Sequence, residues 1–211
     1  MDRKVANTVV GCVAFMFILV GLSVNRILSP SIMSNEQLSE NGLFVYDVPR
    51  RFREFSLIDH NENAFTSDFF QDNWTLVFFG YTYCPDVCPI TLATISQFSG
   101  LLEDTDYADD TQVAMISVDP QRDTPEILAN YMNYFNEDYV GATGEYIDIF
   151  NLASQLNIAF AYQPAENDNY LVSHSGEIIL INPNGHFHGF FKVPHDPNKM
   201  LVNYTSVRET W

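Results

Sequence analysis

Residues 75–104 read TLVFFGYTYCPDVCPITLATISQFSGLLED, and this stretch carries the strongest signals for the fold. The run TLVFFG (75–80) is short, apolar and rich in β-branched and aromatic residues, which predicts a buried strand. The run PITLATISQFSGLLED (89–104) spaces its apolar residues by three and four, which predicts a helix with one apolar face. Between the two runs lie Cys84 and Cys88, each followed by a proline. The predicted strand therefore delivers two thiols to the start of a helix.

Strands and helices alternate along the rest of the chain. The patterns predict a strand at 112–119, helices at 124–135 and 145–157, a strand at 158–162, a hairpin of 176–181 with 186–191, and a helix at 196–207. Thr124 with Pro125 and, later, Asp196 are typical helix starts. This order predicts an α/β fold with a mixed sheet flanked by helices, as in thioredoxin-like domains. Functional groups in such sheets lie beyond the carboxyl end of a central strand, which is where Cys84 falls.

The N-terminal residues predict a membrane anchor. Residues 5–24 are largely apolar and, as a helix, long enough to cross a hydrocarbon core of roughly 30 Å. The alternative is a cleaved secretory signal, but no small-residue cleavage site follows the apolar run. The basic residues at the beginning place 1–4 in the cytoplasm by the positive-inside rule. We therefore expect a single-pass protein of a bacterial inner membrane, with a tether at 25–42 and a domain at 43–211 in the periplasm.

The composition narrows the functional classes. The chain has 211 residues, of which 46% are hydrophobic, and this suits one globular domain with a substantial core. Its net charge of −17 repels phosphate backbones, so we expect no nucleic-acid partner. Three cysteines in the chain are too few for a disulfide-stapled scaffold, and a domain of this size needs no staples. The cysteine pair is therefore expected to serve chemistry.

The spacing of Cys84 and Cys88 bears on that chemistry. If the helix begins at Cys84, its N–H groups and dipole favour a thiolate there, although Asp86 in the first turn opposes it. Residues four apart on a helix have Cβ atoms roughly 5–6 Å apart, whereas a disulfide prefers about 3.8 Å. A metal bound to two sulfurs at about 2.3 Å bridges the wider gap more readily. The spacing favours a metal without excluding reversible oxidation.

A third metal ligand is expected among the histidines. His174, in YLVSHSGEI, directly precedes the predicted hairpin, and in a thioredoxin-like sheet that segment returns beside the cysteine-bearing helix. The other histidines have simpler explanations: His60 in a turn, His186 and His188 on one solvent-facing strand face, and His195 before a helix. Two thiolates and one imidazole with an open position suit copper, Cu(I) especially, because thiolates are soft ligands. The same set can hold a catalytic zinc.

Three separated segments together resemble the Sco/SenC family. They are FGYTYCPDVCPITL (79–92), ISVDPQRDTPEIL (116–128) and YLVSHSGEIILINPNGHF (170–187), and the resemblance extends over about 45–205. Members of this family are membrane-anchored, thioredoxin-like copper proteins implicated in assembling the dinuclear copper centre of cytochrome c oxidase subunit II. The resemblance therefore implies a partner of that kind, or another copper protein, and contact with the inner membrane through the N-terminal helix.

The resemblance also implies roles for individual residues. The family's copper ligands fall on Cys84, Cys88 and His174, which implies one copper ion in the domain. It further implies that Cys84 and Cys88 can oxidise to a disulfide, which releases or excludes the metal.

Three acidic residues are expected close behind these ligands. Asp86 lies between the cysteines, while Asp119 and Asp123 match the family's DPxRD loop together with Arg122. An Arg–Asp pair that fixes the shape of this loop is the simpler role. The chain departs from the family at Ser173, because many members have an aspartate directly before the histidine. A serine cannot supply the same charge to the imidazole, so the copper affinity or the redox behaviour is where we expect a difference.

Three functions compete on these observations. The first is a copper chaperone for cytochrome c oxidase subunit II, which passes on a copper ion held by the two cysteines and the histidine. The alternative is a periplasmic thiol-disulfide oxidoreductase that reduces the cysteines of a partner. The two can belong to one pathway, because a thiol must be reduced before it binds metal. A peroxidase relative is the third, and only the fold supports it.

Overall fold

The computed structural model describes residues 3–28, 32–163 and 170–211. Its helices are α1 (Arg3–Leu28), α2 (Asn35–Glu40), α3 (Val87–Leu102), α4 (Pro125–Phe135), α5 (Tyr146–Gln155) and α6 (Pro197–Arg208). Its strands are β1 (Leu43–Arg50), β2 (Ser56–Asp59), β3 (Ala64–Thr66), β4 (Trp74–Gly80), β5 (Thr111–Ser117), β6 (Val140–Thr143), β7 (Phe160–Gln163), β8 (Leu171–His174), β9 (Ile178–Ile181) and β10 (Phe187–Phe191). Parts of the predicted N-terminus (1–2), tether (29–31) and domain (164–169) lie outside the described residues.

A mixed sheet of eight strands forms the centre of the domain, in the order β1-β10-β9-β4-β5-β6-β2-β3. Both β4 and β6 run parallel to β5, and the other neighbouring pairs are antiparallel. Helix α3 packs against α6 and α4, α4 also packs on β6, and α5 packs on β2. The predicted α/β fold, a thioredoxin-like mixed sheet flanked by helices, is confirmed.

Strand β4 is the longest strand of the sheet that is buried along its whole length. All of its residues from Trp74 to Gly80 are buried, as the continuous apolar run predicts for a strand covered on both faces. It is hydrogen-bonded to β5 along one edge and to β9 along the other. The position at which β4 ends is therefore fixed by the core of the domain.

Most predicted elements are confirmed to within a few residues. The predictions at 112–119, 124–135, 145–157 and 196–207 correspond to β5, α4, α5 and α6, and the predicted hairpin corresponds to β9 and β10. The predicted helix starts are also present. The Thr124 hydroxyl accepts the N–H of Ile127 at 3.4 Å, and the Asp196 carboxylate accepts the N–H of Lys199 at 2.9 Å.

Five strands were not predicted from the sequence, namely β1, β2, β3, β6 and β8. Strands β2, β3, β6 and β8 contain only three or four residues each, which is too short for a periodic pattern to stand out. Strand β1 pairs with β10 at the edge of the sheet and contains Pro49, and Leu43 is its one fully buried residue. Prolines are tolerated at sheet edges, where the missing N–H is not needed.

The predicted tether at 25–42 is partly helical. Helix α2 starts with a capping box in which the Ser34 hydroxyl accepts the N–H of Gln37 and the Gln37 side chain accepts the N–H of Ser34. Leu38 on this helix is only 3% exposed and belongs to the hydrophobic core. The Met33 N–H also donates to the Ser206 hydroxyl of α6 at 2.7 Å. The folded domain therefore begins before residue 43.

The predicted anchor at 5–24 falls within α1. Among the residues that the structure describes, no helix combines the length and the apolar character needed to cross a membrane, so this prediction is not supported.

Replacing Leu38 tests whether α2 is an integral part of the domain. We expect Leu38→Ala to lower the free energy of unfolding by about 2–5 kcal/mol, because it leaves a cavity in the core. Chemical denaturation monitored by circular dichroism measures the change. Glu40→Ala, at an exposed position of the same helix, should change the free energy by less than about 0.5 kcal/mol. Equal effects of the two variants would contradict the docking of α2.

Candidate metal centre

The cysteine segment connects the end of β4 to the start of α3. Helix α3 begins at Val87, three residues after Cys84, and not at Cys84 as predicted. The chain first makes a turn in which the Cys84 N–H donates to the Tyr81 carbonyl at 3.2 Å. The N-cap is Asp86 and not Cys84, and the backbone of Asp86 is not helical (φ −145°, ψ −70°), so neither Cys84 nor Pro85 belongs to the helix. The Cβ separation of a regular helical turn therefore does not apply, and it no longer argues against a disulfide.

The two sulfurs occupy different environments. The start of α3 acts on Cys84 as expected, because the N–H of Cys88 donates to the Cys84 sulfur at 3.3 Å. Cys84 is half-buried, whereas Cys88 is fully buried against the end of β4. Gly80 provides the space: a Cβ atom at this position would lie 3.2 Å from the Cys88 sulfur and 2.6 Å from a ring carbon of Phe78. Cys84 is thus the reachable sulfur and Cys88 forms the floor of the site.

The imidazole of His174 completes the group. His174 is the last residue of β8, and its Nε2 atom lies 3.3 Å from the Cys88 sulfur. Its Nδ1–H donates to the Ser175 carbonyl at 2.8 Å, which leaves the lone pair of Nε2 directed at the sulfur. Metal-bound imidazoles usually give their second N–H to such an acceptor. Ser173 is exposed, and the acceptor of this N–H is the Ser175 carbonyl and not the Ser173 side chain.

Together these side chains form a candidate metal site. The ligand atoms of Cys84, Cys88 and His174 all lie within 4.8 Å of one another. Within the residues that the structure describes, this is the one group of three or more potential ligands that close together. The three residues predicted from the sequence are therefore brought together. Two sulfurs and one imidazole nitrogen form a donor set that suits a soft ion such as Cu(I).

The thiols have opposite acidities. Hydrogen bonding from Cys88 and backbone N–H groups holds the pKa of Cys84 well below its usual range, although desolvation opposes this. The pKa of Cys88 is raised, because its proton is held by that hydrogen bond and because burial disfavours its charge. The pair therefore keeps one proton, on Cys88, with the Cys84 sulfur and Nε2 of His174 both in position to accept it.

The acidic residues expected behind the ligands take three different positions. The side chain of Asp86 is exposed at the N-cap of α3 and makes no capping hydrogen bond. Asp123 is buried and accepts hydrogen bonds from the N–H and the hydroxyl of Thr82, which tie it to the turn before Cys84. Burial raises the pKa of Asp123 in spite of these bonds. Asp119 is buried too, and its carboxylate pairs with Arg122, which is the predicted Arg–Asp pair.

Sequence reasoning missed three tyrosines that connect β7 and β8 to the rest of the site. They are Tyr81, Tyr162 and Tyr170, whose hydroxyls bond to Val172, Val118 and Asp119, respectively. A tyrosine in a core is usually explained by its ring, so the sequence gives little indication of a specific hydroxyl contact. One signal could have revealed the role of Tyr170. It lies four residues before His174, so the two side chains lie on the same side of a strand.

The other histidines lie outside this group, as expected, but one prediction about them is wrong. His188 is buried, not solvent-facing, and its ring packs edge-on against Trp74 with centroids 4.9 Å apart. Burial lowers the pKa of His188 to about 4. His60 accepts the N–H of Gly141 at 3.1 Å, so it has a structural role. His195 makes a hydrogen bond of 2.8 Å to the Gly176 carbonyl.

The acidity of Cys84 can be tested through its reactivity. We expect Cys84 in the folded chain to alkylate at a nearly constant rate between about pH 8 and pH 6, because it stays a thiolate there. In the unfolded chain the rate should fall about tenfold per unit below the ordinary thiol pKa of about 8.5. Iodoacetamide labelling followed by peptide mass spectrometry measures both rates.

The labelling is done in a Cys12→Ser background, because Cys12 is also exposed. Cys88→Ala removes the thiol that donates to Cys84, so the pH profile should move toward that of the unfolded chain. Identical profiles for the folded and unfolded chains would contradict the assignment.

Comparison with known proteins agrees with this geometry. The family model described as SCO1/SenC matches residues 47–208. A putative copper-binding protein from Stutzerimonas stutzeri is 31% identical over 160 residues, which cover 76% of this chain and 78% of that protein.

Two solved structures are similar in both sequence and fold. The copper-bound structure of ScoI from Arabidopsis thaliana is 29% identical, with a TM-score of 0.69 over 74% of this chain and 98% of that chain. The copper-bound structure of ScoI from Bradyrhizobium japonicum is 31% identical, with a TM-score of 0.65 over 74% of this chain and 97% of that chain. The match of the family model over most of the chain, together with these relatives, shows that the chain belongs to the SCO1/SenC family.

Proposed function

We propose that this protein binds one copper ion through Cys84, Cys88 and His174. It then delivers the ion to the dinuclear copper site of cytochrome c oxidase subunit II, or prepares that site. The observation that carries the proposal is the convergence of two sulfurs and one imidazole nitrogen within 4.8 Å. The donor set fits copper because thiolates favour soft ions, and three protein ligands leave a position for a ligand from a partner.

The unequal burial of the ligands suits transfer of the ion. Cys88 is fully buried, so it holds the ion from the protein side, whereas Cys84 and His174 are both half-buried. Cys84 is the half-buried thiolate of the set, and it is the ligand that an incoming thiolate of a partner can replace. A ligand exchange that begins at Cys84 never requires the ion to be released into water.

The relatives support copper as the ion, because copper is bound in the structures of ScoI from Arabidopsis thaliana and Bradyrhizobium japonicum. The recipient rests on the family resemblance alone. The location in a bacterial periplasm also remains a prediction from the basic residues at the N-terminus and from the resemblance.

A second candidate function, reduction of partner disulfides, is favoured by the acidity of Cys84. A half-buried thiol with a lowered pKa is the group that attacks a disulfide. The Cys84 thiolate would attack one sulfur of the partner's disulfide, form a mixed disulfide and release the other sulfur as a thiolate. Cys88 would then lose its proton and attack the Cys84 sulfur, which releases the partner's second thiolate. The partner gains two electrons, and the Cys84–Cys88 pair becomes a disulfide.

A copper titration tests the first proposal. We expect the reduced full-length chain to bind one equivalent of Cu(I), and the chain with a Cys84–Cys88 disulfide to bind none at this site, because its sulfurs are no longer thiolates. Competition with a chromogenic Cu(I) chelator, followed by metal analysis, measures both. Copper binding of equal strength by the reduced and oxidised chains, or none by the reduced chain, would refute the proposal.

Replacing His174 separates the two functions. Removing a residue that only hydrogen-bonds to a metal ligand typically lowers the metal affinity by about 10–100-fold. His174→Ala removes a ligand itself, so it should weaken Cu(I) binding by at least about 100-fold. Disulfide reduction should fall much less than the copper affinity, because the imidazole can only accept the Cys88 proton and forms no bond to sulfur in the exchange. His186→Ala, a half-buried histidine outside the site, is the matched control and should bind Cu(I) like the wild type. Unchanged affinity in His174→Ala would show that His174 is not a ligand.

A further inference from the structure

The strand that carries His174 is separate from the main sheet. Strands β7 and β8 pair only with each other among the described elements, with Phe160 opposite His174. The eight-stranded sheet, by contrast, carries the segment with Cys84 and Cys88. No ladder of backbone hydrogen bonds therefore sets the distance between His174 and the cysteines. The short link to β9, which begins four residues after His174 and pairs with β4, sets it together with contacts between β8 and the loops that follow β4 and β5.

Alternate residues of this strand face the domain. Leu171 and Ser173 are exposed, whereas Val172 is buried and both Tyr170 and His174 are half-buried. Successive side chains of a strand point to opposite sides, so Tyr170, Val172 and His174 share one side. A register slip of one residue would turn all three outward. The same inward side thus carries the metal ligand and, about 13 Å away along the strand, Tyr170.

Tyr170 is held by two contacts at once. Its hydroxyl donates to Oδ1 of Asp119 at 2.6 Å. The guanidinium carbon of Arg122 lies 3.7 Å from the centroid of its ring, and Nε of Arg122 donates to the other carboxylate oxygen of Asp119. We call Asp119, Arg122 and Tyr170 the clamp. Each of these three residues contacts the other two. The clamp therefore connects the loop after β5 to Tyr170, the residue directly before β8.

Burial strengthens the contacts of the clamp. The Asp119 side chain is fully buried and that of Arg122 is only 16% exposed. Nη2 of Arg122 has no hydrogen-bond partner among the described residues, and the Tyr170 ring is the nearest of three tyrosine rings to this guanidinium. Desolvation and then the bond to Asp119 raise the pKa of Tyr170 to about 12, which keeps its hydroxyl a donor. A charge-assisted bond of this kind is roughly twice as strong as a neutral one.

Two further contacts hold the middle of the β7–β8 pair. The Val172 N–H donates to the Tyr81 hydroxyl at 3.2 Å, and the Tyr162 hydroxyl donates to the Val118 carbonyl at 2.8 Å. These contacts and the clamp all attach to the segments that directly follow β4 and β5.

We propose that the clamp is a positioning device, which holds the strand carrying His174 so that Nε2 stays within bonding range of a metal on Cys84 and Cys88. The inference rests on the proposed function for the identity of the metal. Arg122 and Tyr170 do not touch the metal and act only through His174. The Arg–Asp pair therefore does more than shape its own loop, because it sets whether the site has three protein ligands or two.

The first test is a double-mutant cycle on Cu(I) affinity in the full-length chain. Tyr170→Phe removes the hydroxyl and keeps the ring, and it should weaken Cu(I) binding by about tenfold when the bond to the charged partner is lost. In a His174→Ala background the same change should have less than about a twofold effect, because no third ligand is left to position. Equal losses in both backgrounds would overturn the proposal.

Two further variants separate positioning from general stability. Arg122→Lys keeps a cation beside Asp119 but loses the flat group over the Tyr170 ring, and it should show the same dependence on His174. Tyr134→Phe removes an exposed hydroxyl on α4 and should leave Cu(I) affinity unchanged in either background. In the Cu(II) form, nitrogen hyperfine coupling in the EPR spectrum should weaken in Tyr170→Phe and persist in Tyr134→Phe.

The second test uses the metal-free chain, so that it stands apart from the proposed function. Amide hydrogen exchange measured by NMR should be about tenfold faster at Val172 and Ser175 in Tyr170→Phe, and unchanged at β4 residues such as Val77. Unchanged exchange at Val172 and Ser175 would overturn the clamp even if the chain binds copper. If exchange is faster in Tyr170→Phe but the chain binds no copper, the proposed function is refuted. The clamp then only anchors the β7–β8 pair to the domain.

Discussion

The parallel pairing of β4 with β5 is the constraint from which the site follows. The two strands end together, with Gly80 opposite Ser117. The chain segments that follow them therefore leave the sheet side by side, one carrying Cys84 and the other Asp119. Asp123 joins these segments by accepting hydrogen bonds from both Thr82 and Ser117. Because β4 is buried on both faces and bonded along both edges, neither segment can shift without disturbing the core.

The third ligand depends on side chains more than on backbone pairing. A strand of the main sheet would place its residues by a continuous ladder, but β8 is placed by its short link to β9, by hydroxyls and by one guanidinium. Such contacts are specific in geometry and few in number, so the position of His174 is sensitive to single substitutions in a way that the position of Cys88 is not. The site therefore combines one rigid part, built on the core, with one part that is held by polar contacts.

The sequence was sufficient for the fold and for the three candidate ligands, because the relevant signals are local or strong. Each of these signals lies within a short stretch of sequence. They are the apolar run of β4, the helix starts at Thr124 and Asp196, and the motif around His174. The start of α3 was misplaced because Pro85 was interpreted as the first helical residue, whereas the helix begins two residues later, after the N-cap Asp86. His188 was misplaced for a different reason. Its burial depends on Trp74 and Trp211, which are far away in the chain, and alternation within one strand cannot reveal such partners.

The polar contacts of the tyrosines could not be predicted for a similar reason. Whether a hydroxyl meets a carboxylate or water depends on the distance between two loops that no single pattern encodes. Only the alternation of β8 gives a partial indication, since it places Tyr170 and His174 on one side.

The single proton shared by the cysteine pair has a consequence for the stoichiometry of metal uptake. Cys84 already lacks its proton near neutral pH, while Cys88 keeps one. The Ser175 carbonyl accepts the Nδ1–H of His174, so Nε2 is the ring nitrogen that faces the sulfurs. A monovalent ion that binds both sulfurs therefore displaces one proton and not two from the cysteine pair, and the net charge of this pair is the same before and after loading. To a docking partner, the cysteine pair of the loaded and empty forms then differs in shape and ligand availability, and not in charge.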